Sequence, residues 1–314
     1  MGRVPALTAL ADALLDRAVV PGYSRLGPAV RRRWWPADPA PGALTGRRVL
    51  VTGATSGIGT AIAEGLLALG GTVHVLGRDP GKTADLVDRL GPRVVGEVCD
   101  VGDLDAVRAW AADFTSRVPA LHGLVHNAGA LPPERSETAQ GHELTLAVHV
   151  LGPHLMTALL ADTLADDAAV VWMSSGGMYG AGLREDDLEF REGAYSGVRA
   201  YARTKRMQVV LAGEWARRLP GRHVCATHPG WVATDGVTAS IPGFGKVMRP
   251  LLRTPAEGAD TTVWLVGTRP SSHPPHFWHD RAQRPSTLGW ERAQDPARVR
   301  SFLAQVATAT GVPG

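Results

Sequence analysis

Lysine is nearly absent from this chain. Of its 33 basic residues only three are lysine, Lys82, Lys205 and Lys246, so arginine fills almost every other cationic position. The guanidinium of arginine is a fixed fork of donors, whereas the lysine ammonium is compact and its pKa shifts readily. The lysine of YARTK, Lys205, therefore marks a place where a titratable ammonium is needed.

Cysteine, long apolar runs and net charge are also scarce. The two cysteines, Cys99 and Cys225, each lie in or at the end of a short apolar run, which predicts buried thiols, no disulfide framework and a cytoplasmic protein. Asp12, Asp16 and Arg17 interrupt the apolar N-terminus before it reaches the length of a signal-peptide core or a membrane-spanning helix. A net charge of +3 does not require nucleic acid as a partner.

From Gly46 onward, short β-branched apolar runs alternate with longer segments of helical period. Strands are predicted at 47–53, 72–77, 93–99, 121–129, 168–175 and 222–230, with a weaker seventh at 276–280. Helices are predicted near 57–69, 82–90, 103–117, 136–161, 198–219 and 256–267. This alternation predicts an α/β fold: a single domain with a Rossmann-like, doubly wound parallel sheet of about seven strands.

The two ends of the chain depart from this pattern. Residues 1–44 combine an amphipathic stretch, the cluster RRRWW and a proline-rich linker, which predicts an N-terminal helical extension before a domain at 45–285 and a C-terminal tail at 286–314. Two alternatives stay open for the extension. Either residues 1–35 contact a membrane surface peripherally, or the helix packs back on the domain.

A glycine-rich turn follows the first predicted strand. TGATSGIG places Gly53, Gly57 and Gly59 where a helix begins. Glycine there lets the backbone approach a pyrophosphate, and the helix N-terminus supplies free N–H groups. The position between a strand and a helix favours a dinucleotide site over a turn without a ligand.

The end of the second strand distinguishes two cofactors. NAD enzymes typically place a carboxylate there, whereas this chain has Arg78 after Gly77. Because a guanidinium can pair bidentately with a 2′-phosphate, the sequence predicts NADP(H) in preference to NAD(H), with a solvated turn residue as the alternative for Arg78. Asp79, beside Pro80, is predicted to cap a helix, and Asp100 either accepts from the adenine amino group or caps the next helix.

Tyr201 and Lys205 lie four residues apart in a predicted helix, so both side chains project from one face. A chance Y-x-x-x-K is expected about 0.04 times in a chain of this composition, so coincidence is a poor explanation. The ammonium is expected to lower the pKa of the phenol towards neutrality and make Tyr201 a general acid. Ser174 and Ser175 end the fifth strand at the same sheet edge, where a hydroxyl can donate a hydrogen bond to a substrate carbonyl. A serine pair after a strand is also common in turns without a catalytic role, so the pair alone is a weak signal.

Five motifs in this order resemble those of the short-chain dehydrogenase/reductase family: TGATSGIG, HNAG (126–129), SSGGM (174–178), YARTK and HPGWVAT (228–234). The resemblance covers about residues 46–270. SSGGM, KRMQVVLAGEWA, HPGWVAT and the F-x-x-D-R of FWHDR more closely resemble the dehydrogenase/reductase SDR family member 12 type, which also carries an N-terminal extension.

The resemblance implies a role for each matched residue. Tyr201 would donate or accept the proton, Lys205 would bind the nicotinamide ribose and tune Tyr201, and Ser175, the second serine of its pair, would position the carbonyl. The predicted cofactor-binding residues, from the residue patterns and the resemblance together, are Gly53, Thr55, Ser56, Gly57, Ile58, Gly59, Arg78, Asp100, Val101, Asn127, Ala128, Gly129, Tyr201, Lys205, Pro229, Gly230, Val232 and Thr234.

His149 departs from the family's pattern. It stands where the family has an asparagine whose backbone carbonyl helps to hold a water in the proton relay from the lysine. Relay function for His149 and a plain helix-facing histidine both stay open. His126 replaces the first asparagine of N-N-A-G, and little loss of cofactor binding is expected because Asn127 is kept.

The sequence therefore predicts an NAD(P)-dependent oxidoreductase. The expected reaction is reduction of an apolar ketone or aldehyde by NADPH, or the reverse oxidation of the alcohol, because residues 231–250 suit an apolar loop that closes over a ligand. The alternative is a weakly active or non-catalytic NADP(H)-binding regulatory or scaffold protein, motivated by His149. The resemblance also leaves a homodimer open, through the helices near 136–161 and 198–219.

Overall fold

The computed structural model describes residues 6–233, 249–287 and 294–312. Within them, eight strands form one sheet in the order β3-β2-β1-β4-β5-β6-β7-β8, parallel throughout except for the antiparallel pair β7–β8. The strands are β1 (Arg48–Thr52), β2 (Thr72–Gly77), β3 (Val94–Val98), β4 (Leu121–His126), β5 (Leu164–Met173), β6 (His223–Thr227), β7 (Phe277–His279) and β8 (Ala282–Gln283).

Helices cover both faces of this sheet and continue into the N-terminal extension. They are α1 (Ala6–Arg17), α2 (Val19–Tyr23), α3 (Leu26–Arg31), α4 (Gly57–Ala68), α5 (Pro80–Leu90), α6 (Leu104–Arg117), α7 (Leu144–Leu146), α8 (Gly152–Leu160), α9 (Gly197–Arg218), α10 (Pro255–Thr268) and α11 (Pro296–Thr310). A π-helical turn at Ala147–Leu151 joins α7 to α8, and short 3₁₀ turns lie at Gly176–Gly180 and Arg249–Leu251.

The predicted doubly wound α/β sheet is confirmed, with one strand more than expected. The weaker seventh strand is present as β7, and the two-residue β8 pairs with it. Asp280 and Arg281 have φ of 49° and 55°, the left-handed backbone that a two-residue hairpin turn needs. Two residues show no alternating apolar pattern, so the sequence carried no signal for β8.

The helix predicted over 136–161 is wrong at its N-terminal end. The chain becomes helical only at Leu144, after an extended segment in which Glu137 and Glu143 form a β-bridge around Gly141 at φ 78°. The Glu143 carboxylate accepts the Thr145 and Leu146 amides, so it caps the helix. A glutamate cap is rarer than Ser, Thr, Asp or Asn, which hid this boundary in the sequence.

Alternate residues of the central strands enter two apolar layers. Leu50 of β1 packs in the cluster formed with α6, α8 and α9, whereas Val49 and Val51 pack in the cluster formed with α4 and α10. Strands buried on both faces are typical of a parallel sheet between helices. The C-terminal α11 adds Phe302 and Val306, both fully buried, to the first layer.

Candidate active site

The glycine turn after β1 lies closely against the end of β4. Gly53 has φ 63°, and a Cβ there would lie 2.7 Å from the Ala128 Cα; at Gly59 a Cβ would lie 2.2 Å from the Gly53 carbonyl oxygen. Side chains at either position would push the turn away from the sheet. Ser56, the N-cap residue of α4, makes no side-chain cap, so the first amides of α4 keep their capacity to bind an anion.

Asn127 and Thr52 hold this turn in place. The Asn127 Nδ2 donates to the Thr52 and Gly53 carbonyl oxygens, each at 3.1 Å. The Thr52 hydroxyl in turn accepts the amides of Asn127 and Ala128, each at 3.0 Å. Asn127 therefore braces the glycine turn, and Thr52 is a supporting residue that the sequence reasoning missed. The place of Asn127 beside the adenosine ribose stays a prediction.

The polar residues after β2 and β3 take different places. The prediction for Asp79 is confirmed, because it caps α5 by accepting the Lys82 amide at 3.0 Å. Arg78 is solvent-exposed, and among the described residues none pairs with its guanidinium. The alternative of Asp100 as a helix cap is wrong: Asp103 caps α6, while the Asp100 carboxylate accepts the amide two residues further on at 2.9 Å.

The structure brings Ser175, Tyr201 and Lys205 together beyond the end of β5. The Ser175 hydroxyl caps the following 3₁₀ turn and interacts with the Tyr201 phenol. The Lys205 Nζ lies 5.2 Å from the centroid of the Tyr201 ring. Ser174 is buried and donates to the Lys205 carbonyl at 2.8 Å, so it holds α9 on the sheet, and Ser175 is the serine that faces the phenol.

The expected lowering of the Tyr201 pKa by Lys205 is wrong. Burial raises the pKa of Tyr201 above its ordinary value, and the interaction with Ser175 only partly offsets this. Burial also lowers the pKa of Lys205 to about 7, so its side chain is only partly protonated at neutral pH. A phenol that keeps its proton is suited to protonating an oxygen that gains negative charge.

His149 lies at the centre of the π-helical turn and is fully buried. Its Nε2 accepts the Ala130 amide at 3.0 Å, which assigns the proton to Nδ1. Nδ1 then donates to the Thr204 hydroxyl at 2.8 Å, and that hydroxyl donates to the Tyr201 carbonyl at 2.9 Å. Burial, and secondarily Lys205, hold the pKa of His149 well below its usual range, so the imidazole is a neutral bridge between the loop after β4 and α9.

Gln208 connects the lysine to the backbone of that turn, and the sequence reasoning did not find it. The Lys205 ammonium donates to the Met173 carbonyl at 2.8 Å and to the Gln208 Oε1 at 3.0 Å. The Gln208 Nε2 donates to the His149 carbonyl at 2.9 Å. The resemblance implies a backbone carbonyl at position 149 in a kinked helix. The His149 carbonyl is in such a turn, but the Gln208 side-chain amide donates to it directly. The only sign of Gln208 in the sequence was that a polar residue stands on the face of α9 that packs inward.

The loop after β6 is held by a buried arginine. Arg253 donates to the Pro229 carbonyl at 3.2 Å and to both oxygens of Asp280, and its guanidinium lies within 2.4 Å of where a Gly230 Cβ would be. Val232 forms a β-bridge with Arg253. Thr234 lies outside the described residues. Arg253 was missed because it follows this loop by more than 20 residues in the chain.

A cavity of about 1270 Å³ lies between the N-terminal extension and the β7–β8 hairpin, with Asp280 in its lining. Its aromatic lining includes Trp34, Trp35, Trp264 and Trp278. Among the described residues that line it there is no member of the Ser175, Tyr201 and Lys205 cluster. This cavity is therefore distinct from the candidate active site.

The buried lysine gives a stability prediction that can be measured without nucleotide. Between about pH 7 and pH 10 the unfolded chain keeps a proton on Lys205 that the folded chain has released, so the free energy of unfolding rises with pH. We expect this slope to be larger in the wild-type protein than in Lys205→Met by up to about 1.4 kcal/mol per pH unit. Urea unfolding across this pH range measures the slope. Lys82→Met, which removes a solvent-exposed lysine, is the control and should keep the wild-type slope. Equal slopes for the wild type and Lys205→Met would contradict the prediction.

Comparisons with known proteins identify the family. Residues 47–186 match the model of the family described as short chain dehydrogenase. The chain is 35% identical over 270 residues to "Dehydrogenase/reductase SDR family member 12" of Bos taurus, which covers 83% of this chain and 85% of that protein. The chain belongs to the short-chain dehydrogenase/reductase family.

Two further known proteins are similar to this chain, one in sequence and one in fold. Human "Retinol dehydrogenase 14" is 33% identical over 271 residues, covering 77% of this chain and 80% of that protein. A solved structure described as a "Pseudomonas aeruginosa RhlG/NADP active-site complex" superposes with a TM-score of 0.61 at 24% identity, covering 76% of this chain and 96% of that one. This second likeness shows the shared fold.

Proposed function

We propose that this short-chain dehydrogenase/reductase reduces an apolar ketone or aldehyde with NADPH, or oxidises the corresponding alcohol in reverse. The observation that carries the proposal is the grouping of Ser175, Tyr201 and Lys205 at the carboxyl end of β5. The test is whether the purified protein oxidises NADPH when given an apolar ketone, and whether this oxidation requires the Tyr201 hydroxyl.

The residues around the glycine turn fit a dinucleotide. A Cβ at Gly53 or Gly59 would collide with Ala128 or with the Gly53 carbonyl, so these glycines keep the turn tight beside the N-terminus of α4, which can receive the phosphates. Arg78 would receive a 2′-phosphate, and the loop at Pro229 and Gly230 would hold the nicotinamide end. When bound, the cofactor would supply the hydride to the carbonyl carbon.

The protein's own groups would handle the carbonyl oxygen. Ser175 would donate a hydrogen bond to that oxygen and orient it towards Tyr201. The Tyr201 phenol would transfer its proton to the oxygen as negative charge develops there, which yields the alcohol and leaves a tyrosinate. Lys205 would hold the ribose and stabilise the tyrosinate, and solvent would restore the proton.

An apolar substrate is supported by two observations. The segment 231–250, which follows the Pro229–Gly230 turn, is rich in glycine, proline and apolar residues. A relative that covers most of this chain is named a retinol dehydrogenase, and retinol is an apolar alcohol.

Assembly into a homodimer through α8 and α9 is a further part of the proposal and rests on the family resemblance alone.

Arg78 gives the test of the cofactor preference. We expect Arg78→Ala to raise the KM for NADPH by about 10- to 100-fold, because a charge-assisted pair with the 2′-phosphate is lost, and to leave the KM for NADH almost unchanged. Initial rates with both cofactors measure this. Arg93→Ala removes an exposed arginine at the amino end of β3 and serves as the matched control. An equal effect of Arg78→Ala on both cofactors would contradict the NADP(H) preference.

A weakly active or non-catalytic NADP(H)-binding protein is the second candidate. Gln208 favours this second candidate. Its side-chain amide accepts a hydrogen bond from the Lys205 ammonium and donates one to the His149 carbonyl, and an amide transfers a proton less readily than a water does. This candidate predicts NADPH binding with slow turnover, or none, of any apolar ketone or alcohol. Fast turnover that depends on Tyr201 would exclude it.

A further inference from the structure

The first helix of the extension turns its charged side towards the protein. The side chains of Asp12 and Asp16 are only 20% and 16% exposed, whereas Leu10 and Leu14 are 59% and 58% exposed. A surface helix of a soluble domain normally has the opposite arrangement, with its apolar stripe on the core. Within the described part of the chain the apolar stripe of α1 is therefore left exposed, where a partner can contact it.

Buried ion pairs enforce this orientation. Arg31, which is fully buried, donates to Asp12 at 2.7 Å and to Asp280 at 2.8 Å, and Arg284 pairs with Asp12 and Asp16. Turning α1 to bury its leucines would take Asp12 and Asp16 away from the buried Arg284 and would leave Arg31 with Asp280 alone. Removing a carboxylate from a buried guanidinium is costly. The outward position of the leucines is thus a consequence of the fold.

The apolar surface continues from α1 into the next two helices. Val19, Val20 and Leu26 are also exposed, by 43%, 48% and 46%. Five of the seven strongly exposed large apolar side chains in the described part of the chain lie within residues 10–26, while the other two, Val98 and Val198, are isolated. An apolar patch concentrated in one segment marks an interaction surface, whereas scattered ones need no explanation.

The charges beside this apolar surface have one sign. Arg17, Arg25, Arg32 and Arg33 are exposed. The acidic residues among residues 6–37 are Asp12 and Asp16, and both face the protein. A surface of leucine, valine and arginine without an exposed carboxylate matches the boundary of a bilayer that carries anionic headgroups.

We propose that the outward face of α1 to α3 docks on the surface of an anionic lipid bilayer, with the helices lying in the plane of the interface. We define this outward face as Leu10, Leu14, Val19, Val20 and Leu26 with Arg17, Arg25, Arg32 and Arg33. Among the described helices none is long and apolar enough to cross a membrane. The lining of the 1270 Å³ cavity includes Ala13 and Arg17, which are exposed on the same side of α1, so this cavity opens beside the docking face.

Vesicle co-sedimentation of the full chain tests the proposal. We expect the protein to sediment with vesicles of phosphatidylcholine and phosphatidylglycerol, less with phosphatidylcholine alone, and less at high salt. Leu10→Glu/Leu14→Glu should lower the partition coefficient on anionic vesicles at least about tenfold, because two apolar side chains become anionic. Val98→Glu/Val198→Glu changes two apolar residues of similar exposure outside the face and should bind like the wild type.

A second variant and a second measurement keep the outcome decisive. Arg17→Gln/Arg25→Gln/Arg33→Gln changes only exposed side chains, so its circular dichroism and melting should match the wild type while its binding to anionic vesicles falls several-fold. Wild-type protein that stays in the supernatant with anionic vesicles would overturn the proposal. If the leucine variant instead turns a dimer into a monomer in gel filtration without lipid, a second copy covers this face, and the proposal is likewise overturned.

Discussion

Tyr201→Phe is expected to lower kcat for carbonyl-dependent NADPH oxidation by about 100- to 10,000-fold, the usual contribution of a general acid. The variant removes one oxygen atom from a partly buried ring that packs against His149 and Lys205, so the fold and the nucleotide site should be kept. We therefore expect the dissociation constant for NADPH, measured by fluorescence titration, to change little. The loss should appear in kcat because the proton is transferred in the transition state.

Tyr179→Phe is the matched control for this experiment. The Tyr179 hydroxyl donates to the Pro285 carbonyl at 2.6 Å, at the wall of the cavity beside the extension. Removing it takes the same oxygen atom from a tyrosine outside the catalytic cluster, so kcat should stay within a few-fold of the wild type. Turnover by Tyr201→Phe equal to that of Tyr179→Phe would overturn the assignment of Tyr201 as the proton donor.

Asp280→Asn is expected to lower the free energy of unfolding by about 3 to 5 kcal/mol, the cost of leaving buried charges without their partner. The Asp280 carboxylate lies between two buried guanidinium groups: Arg31 at 2.8 Å and Arg253 at 2.6 Å. The substitution keeps the shape of the side chain and removes its charge. Urea unfolding at neutral pH measures the loss.

The same substitution is expected to weaken cofactor binding. Arg253 also donates to the carbonyl groups of Gly22, Tyr23, Ser24 and Pro229, so it joins the extension to the loop that is predicted to hold the nicotinamide. Without the Asp280 charge Arg253 loses its anchor, and we expect the KM for NADPH to rise. Asp38→Asn is the control, because Asp38 pairs with Arg281 but is 81% exposed, and its loss should cost less than about 1 kcal/mol. Equal stability of the two variants would contradict the role given to Asp280.

The pH dependence of this effect has a definite sign. Burial by itself would raise the pKa of Asp280, but Arg253 and Arg31 outweigh it, so the pKa lies below its ordinary value. The contribution of Asp280 to stability is thus fully present above the unfolded-state pKa of ~3.9 and is lost as the pH falls through the lower folded-state pKa. The difference in stability between wild type and Asp280→Asn should therefore shrink in acid.

The F-x-x-D-R pattern shows how a visible motif can hide its role. Phe277, Asp280 and Arg281 were recognisable in the sequence as a feature of one type of relative. The structure puts Asp280 and Arg281 in left-handed backbone at the turn between β7 and β8, where ion pairs hold both side chains. Non-glycine residues seldom adopt this backbone, so their position depends on partners more than 200 residues away, such as Arg31 and Asp38.

The sequence by itself determined those features that rest on local pattern. The alternation of β-branched runs with helical periods was enough for the doubly wound sheet, because burial on two faces selects apolar residues in order along the chain. The glycine spacing after β1 was visible because the close approach of backbone excludes a Cβ. The pair Tyr201 and Lys205 was visible because a separation of four residues sets two side chains on one helix face.

The tertiary structure alone decided the features that depend on partners distant in the chain. Gln208 gained its bond to the His149 carbonyl, and Asp280 its place between Arg31 and Arg253, only when separate helices and strands packed together. The same packing overrode the local effect expected of Lys205: the pKa of Tyr201 was predicted to fall, whereas burial raises it and lowers the pKa of Lys205. Packing also turned the leucines of α1 outward, because the carboxylates on the opposite face pair with buried arginines. Sequence periodicity shows that a helix has an apolar and a polar face, but it does not show which face will pack against a distant charge.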